Sequence, residues 1–124
     1  MLEQIFEYLQ KEGFVPEKTG NRIKFKYQMF TIVVFGEEND ENFLNITLPG
    51  IFDVNEDNRI DALEALNFVN DNTKLVKLYI YDNEVWVGVE QLLDSTPNFG
   101  DIVPRTLNVL VDGRERFYKA LKEL

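Results

Sequence analysis

Apolar side chains recur along the chain with two periods, and the changes between them mark out the elements. Leu2, Ile5, Phe6 and Leu9 fall at i, i+3, i+4 and i+7, which predicts an amphipathic helix over residues 2 to 12 that stops at Gly13. From Arg22 the period drops to two. Ile23, Phe25 and Tyr27 alternate with Arg22, Lys24, Lys26 and Gln28, the pattern of a half-buried strand. A tight turn at Gln28-Met29 sets Tyr27 opposite Phe30, Phe25 opposite Ile32 and Ile23 opposite Val34. A third strand over Phe43 to Leu48 turns Leu44, Ile46 and Leu48 inward, and Pro49-Gly50 is expected to end it. Asn55 or Asp57 then caps a helix reaching about Asn70, with Ile60, Leu63, Leu66 and Val69 as its inner stripe.

The firmest stretch is Lys74 to Leu93, KLVKLYIYDNEVWVGVEQLL. A turn at Asp82-Asn83 pairs Ile80 with Val85, Leu78 with Val87 and Val76 with Val89, so six aliphatic side chains share one face. The opposite face pairs Tyr79 with Trp86 and Lys77 with Gly88. A final helix is expected from about Asp101 to Glu123, with Pro104 accommodated in its first turn and Gly113 as its weak point. Asp112 with Arg116 and Glu115 with Lys119 form i, i+4 pairs along it. The order α-β-β-β-α-β-β-α with short links predicts one α+β domain over residues 1 to 124, an antiparallel sheet with helices packed on one face.

Composition narrows the function. The 124 residues contain no cysteine and no histidine, which removes disulfides, thiolate chemistry, the usual zinc ligands and the usual general base. Ser95 is the only serine, and with no histidine to activate it a serine nucleophile is not expected. A net charge of -9 disfavours nonspecific binding to nucleic acid or anionic lipid. Glu3 and Glu7 in the opening segment, and the lack of a basic start or an apolar run, are unlike a signal peptide. Neither a membrane span nor a cofactor is expected, and no catalytic or metal-ligating residue is assigned.

The order of elements and several local phrases resemble the YbjN-like family, whose members share the fold of type III secretion chaperones. The phrases are Gly13-Phe14 after the first helix, Ile23-Lys24-Phe25-Lys26-Tyr27, Leu48-Pro49-Gly50, and Ala62-Leu63-Glu64-Ala65-Leu66-Asn67-Phe68-Val69-Asn70. Val76-Lys77, Val85-Trp86, Val89-Glu90 and Leu92-Leu93-Asp94-Ser95 add to them, so the likeness spans nearly the whole chain. One departure is Asp82-Asn83 where the family often places a glycine, although both residues tolerate a left-handed backbone. The resemblance implies a small cytoplasmic bacterial protein, a homodimer that binds other proteins or regulates through contact.

Four constellations remain. The outer sheet face gathers Arg22, Lys24, Lys26, Thr31, Val33, Phe35, Phe43, Asn45, Lys77, Tyr79 and Trp86, a basic and aromatic set on an acidic chain. An apolar patch rimmed by charge suits a partner or dimer surface, and the alternative is an ordinary solvated face or one covered by a loop. Asp53 to Glu64, DVNEDNRIDALE, places acids at positions 1, 5, 9 and 12 of a calcium loop with Asn58 in place of its glycine, and the alternative is a linker rich in capping residues. Val103, Leu107, Leu110, Arg114, Phe117, Leu121 and Leu124 read as a helix stripe on the domain's own sheet or as a coiled-coil seam. Glu37, Glu38, Asp40 and Glu41 form a charged turn, and Asn45-Ile46-Thr47, a glycosylation triplet by spelling, lies within a strand. These readings favour a non-enzymatic, chaperone-like binding module. The alternatives are a hydrolase or lyase built on paired carboxylates, and a small ligand-sensing domain.

Overall fold

Residues 1–37 and 39–124 are described by a computed structural model. The elements are α1 (Leu2–Lys11), β1 (Glu17–Thr19), β2 (Arg22–Tyr27), β3 (Phe30–Phe35), β4 (Phe43–Asp53), α2 (Arg59–Asn72), β5 (Val76–Tyr81), β6 (Glu84–Leu92) and α3 (Phe99–Lys122). The strands form one antiparallel sheet in the order β1-β2-β3-β4-β6-β5.

Two-residue turns fix the pairing within each hairpin. Gln28 and Met29 have φ of 49° and 70°, and Asp82 and Asn83 have 51° and 60°, left-handed at both turn positions as a primed turn requires. The registers are those the periodicity predicts: Ile23 opposite Val34 and Phe25 opposite Ile32 in one hairpin, Leu78 opposite Val87 and Tyr79 opposite Trp86 in the other. With Val33 and Leu92 the exceptions, strands β2 to β6 therefore turn their aliphatic side chains to one face. There they join Ile5 and Leu9 of α1, Ala62, Ala65, Leu66 and Val69 of α2, and Val103, Leu107, Leu110 and Phe117 of α3 in one buried cluster.

Four expectations need correction. The short strand β1 was not foreseen, because its three residues are all exposed and carry no buried periodicity. Pro49-Gly50 does not end the third strand. β4 continues to Asp53 through an irregularity between Leu48 and Phe52, where Gly50 takes φ 62°. Proline is tolerated there because β3 pairs with β4 only across Asn45 to Thr47, so Pro49 interrupts no ladder on that side.

The third correction concerns α2, whose buried stripe is Ala62, Ala65, Leu66 and Val69, while Ile60 and Leu63 face solvent. Its rotation is set by Asn70, whose side chain accepts the Leu78 N–H at 2.8 Å and donates to the Leu78 carbonyl at 3.0 Å, occupying the open edge of β5. The two alanines then face inward, where their small size permits a close approach to α3. Fourth, α3 begins at Phe99, directly after Asn98, so Pro104 lies in the second turn and leaves the exposed Gly100 carbonyl without its intrahelical partner.

Gly113 has a structural role that helix propensity alone hides. It is buried against the sheet, and a Cβ there would sit 3.1 Å from Val76 Cγ2 and 3.2 Å from Val87 Cγ1. α3 packs this near because the residue has no side chain. Gly113→Leu is therefore expected to destabilise the protein by roughly 1–3 kcal/mol through overpacking, although leucine is the better helix former. Urea unfolding followed by circular dichroism measures this, and an unchanged midpoint would refute the close-approach role.

Candidate functional site

The sheet face turned away from the helices is the candidate site, and its register can be read in rows. Lys24, Val33, Thr47, Gly88 and Lys77 lie side by side across five strands, and Arg22, Phe35, Asn45 and Glu90 form the adjacent row. On the other side of the first row lie Lys26 and Thr31 on β2 and β3, and Trp86 and Tyr79 on β6 and β5. All nine residues expected to form a contact surface, Arg22, Lys24, Lys26, Val33, Phe35, Phe43, Lys77, Tyr79 and Trp86, thus point to one side. None of the aromatic ones belongs to the cluster that the helices bury.

They do not form a uniform patch. At one corner Arg22 lies over the Phe35 ring, 5.4 Å from its centroid. At the opposite corner Trp86 meets Tyr81 edge to face at 5.1 Å and Tyr79 at 6.4 Å. Between these corners the surface dips at Val33, Thr47 and Gly88, and the Tyr79 ring covers the glycine, with Cε1 3.9 Å from where a Cβ would be. Such a ring over a strand glycine fills space that a side chain would otherwise occupy.

Charge is divided as well. Along β2, Arg22, Lys24 and Lys26 project from alternate positions, with Glu17 of β1 opposite Lys24, and Lys26 donates to Thr31 Oγ1 at 2.7 Å. At the other edge Lys77 is ion-paired with Glu90, and lies 5.3 Å from the Tyr79 ring centroid. Trp86 Nε1 donates to Glu84 Oε1 at 3.3 Å. The basic character is therefore confined to the β2 half. Tyr81, Glu84, Glu90 and Leu92 are among the members that periodicity did not bring out, although Tyr81 has the parity of Tyr79 and is diagonal to Trp86, a detectable signal.

The other constellations resolve differently. β4, not a helix, leads into Asp53 to Glu64, and Asn55 Oδ1 accepts the backbone N–H groups of Asp57 and Asn58 at 2.9 and 3.0 Å. Asn58 donates to the Asp53 carbonyl at 3.0 Å, so these side chains close a turn rather than point at a common centre. Among the described residues no group of three or more acidic side chains is gathered as a metal would need. Of the α3 stripe, Val103, Leu107, Leu110 and Phe117 are buried against the domain's own sheet, whereas Leu124 is exposed beyond the helix end. Arg114 leaves that stripe to lie over Phe30 and Tyr118, 5.0 and 4.8 Å from their ring centroids. Asp112 pairs with Arg116 as expected, whereas Glu115 reaches Arg114. Of the charged turn, Glu37, Asp40 and Glu41 are exposed, and Glu38 lies outside the described residues. Asn45 Oδ1 accepts from Thr47 Oγ1 at 2.7 Å within the strand. Among the described residues no helix is long and apolar enough to cross a membrane.

No protein-family model matches this chain, and no curated protein does. Solved structures do. An uncharacterized protein from Methanothermobacter thermautotrophicus superposes with a TM-score of 0.72 at 14% identity, over 98% of this chain and 96% of that one. E. coli YbjN, described as a proposed transcription regulator, superposes with a TM-score of 0.69 at 10% identity, over 99% of this chain and 93% of its own. The fold is that of YbjN. The YbjN-like fold expected from the local phrases is thus the one observed, at an identity so low that the likeness carries fold alone.

Burial raises the pKa of Tyr79 above its ordinary value, with Glu90 and Tyr81 adding to the effect and Lys77 opposing it. The folded state therefore prefers the neutral phenol. Its contribution to stability is complete below about pH 10 and is lost as pH climbs through the raised pKa. Tyr8, half-shielded and bonded to Glu12, is raised too. In a spectrophotometric titration of phenolate absorbance, Tyr79→Phe is expected to remove one late-ionising tyrosine and leave another. An unaltered late phase would place Tyr79 in open solvent.

Proposed function

We propose that this chain is a non-enzymatic protein-binding or regulatory module, chaperone-like in the sense of the type III secretion chaperones, which takes a protein partner or a second copy of itself on the outer sheet face. One observation carries the reading. Phe35, Phe43, Tyr79 and Trp86, all half-buried, and the exposed Tyr81 lie together on a face that the core cluster leaves out. Antiparallel sheets often leave one face to water but seldom place Trp, Tyr and Phe on it together, and exposed aromatic sets rimmed by charge are typical of interfaces.

Two further points support it. Of the described acidic residues only Glu84 is half-buried and the rest are exposed, the reverse of the desolvated pair that carboxylate hydrolysis needs. YbjN, whose fold this chain shares, is described as a proposed transcription regulator, which supports the regulatory part of the proposal. With a net charge of -9 and only three of its 13 basic residues, Arg22, Lys24 and Lys26, grouped along β2, direct binding to nucleic acid is disfavoured. Arg22, Lys24 and Lys26 would attract an acidic segment, and the aromatic corner would hold its apolar side chains. A cytoplasmic setting and action without a cofactor complete the proposal.

The chain's single tryptophan lies on this face. Tyr79→Ala combined with Trp86→Ala is expected to abolish partner capture or self-association, measured by affinity capture and light scattering. The fold should persist, because a cross-strand aromatic pair contributes only about 1 kcal/mol. Undiminished association by the folded double variant would overturn the proposal.

A further inference from the structure

A second apolar surface lies on the helical side, away from the outer sheet face. α2 and the end of α3 border an open groove of about 560 Å³ with Ala65, Phe68 and Ala120 at its base and Glu64, Asp71 and Glu123 around it. Among the described residues no lysine or arginine lines it. Arg116 and Lys119 stand on the far side of Phe68, around a smaller groove, and Arg116 is already paired with Asp112. Phe68 is 58% exposed and Ile60 is 72% exposed, unusual values for large apolar side chains on a helix that already buries a complete stripe.

Ile60, Glu64, Phe68 and Asp71 follow i, i+4, i+8 and i+11 along one side of α2. The two apolar members are thus about 12 Å apart along the axis, two helical turns, with carboxylates beside them. That spacing suits the anchors of a helix lying alongside α2. A second copy docked by the same patch would set three carboxylates against three others, which repels.

We infer that this groove takes an amphipathic helix of a partner whose apolar stripe is bordered by Lys or Arg. The inference does not rest on the role of the outer sheet face. The probe is a labelled synthetic helical peptide of leucine and lysine, compared with the same peptide carrying glutamate for lysine, followed by fluorescence anisotropy on the intact protein. The lysine peptide should bind at least about tenfold more tightly than the glutamate peptide. Phe68→Ser leaves the charge unchanged and should weaken binding of the lysine peptide by at least about tenfold. Glu64→Gln with Asp71→Asn should flatten the salt dependence of binding. Tyr79→Ala with Trp86→Ala should bind the peptide like the wild type. Equal affinity for the two peptides, indifference to Phe68→Ser, or loss of binding in the Tyr79/Trp86 variant would overturn the inference. So would a halved mass for Phe68→Ser in light scattering, which would assign the groove to a second copy. Because Phe68 projects into solvent, circular dichroism should show each variant folded.

Discussion

Four residues with left-handed backbones, Gln28, Met29, Asp82 and Asn83, hold the register on which every other assignment depends. The side-chain period of a strand is two, so a slip of one residue in either hairpin would send Ile23, Phe25, Leu78 and Val87 to the outside and bring Lys24 and Trp86 beneath the helices. Burying an unpaired lysine there costs several kcal/mol, which separates the observed register from its neighbours. The turns and the apolar pattern therefore select the same pairing. Once that pairing is set, the helices have only one face on which to bury their stripes.

Much of this was legible in the sequence because local rules and global packing agree. The two hairpins, α1 and the stripe of α3 follow from periodicity and turn chemistry alone. Legibility failed where a residue's role depends on something distant. Asn70 gives no local sign that it will reach the edge of β5, yet its two hydrogen bonds to Leu78 rotate α2 until alanines, and not Ile60 and Leu63, face inward. Gly113 looks like a defect in a helix until the positions of Val76 and Val87 are known. Pro49-Gly50 looks like a stop until it is clear that β3 has already ceased to pair.

The departure of β4 from β3 also shapes the molecule. Beyond the irregularity, Phe52 packs on Phe117 and Tyr118, with ring centroids 5.4 and 6.1 Å away, and the Tyr118 hydroxyl donates to the Ile51 carbonyl. Arg114 covers Phe30 and Tyr118 and so bridges β3 and α3 on this side. One strand thus serves two roles. Its first half carries Phe43 and Asn45 on the outer face, and its second half ties the C-terminal helix to the sheet.

The candidate face was partly legible: parity placed its nine proposed members on one side, but parity carries no information on charge pairing. Only the assembled sheet shows that Glu84 and Glu90 share the β5–β6 half while β2 keeps its cations. That division bears on what each surface can accept. A face with cations on one half and carboxylates on the other can meet its own copy in favourable register when a two-fold axis runs parallel to the strands, because β2 of each copy then lies over β5 and β6 of the other. The lining of the groove offers no such orientation, since a two-fold axis through it returns its three carboxylates to one another. Self-association is therefore compatible with the sheet face and opposed at the groove, so the two surfaces select different partners even though both are apolar at their centres.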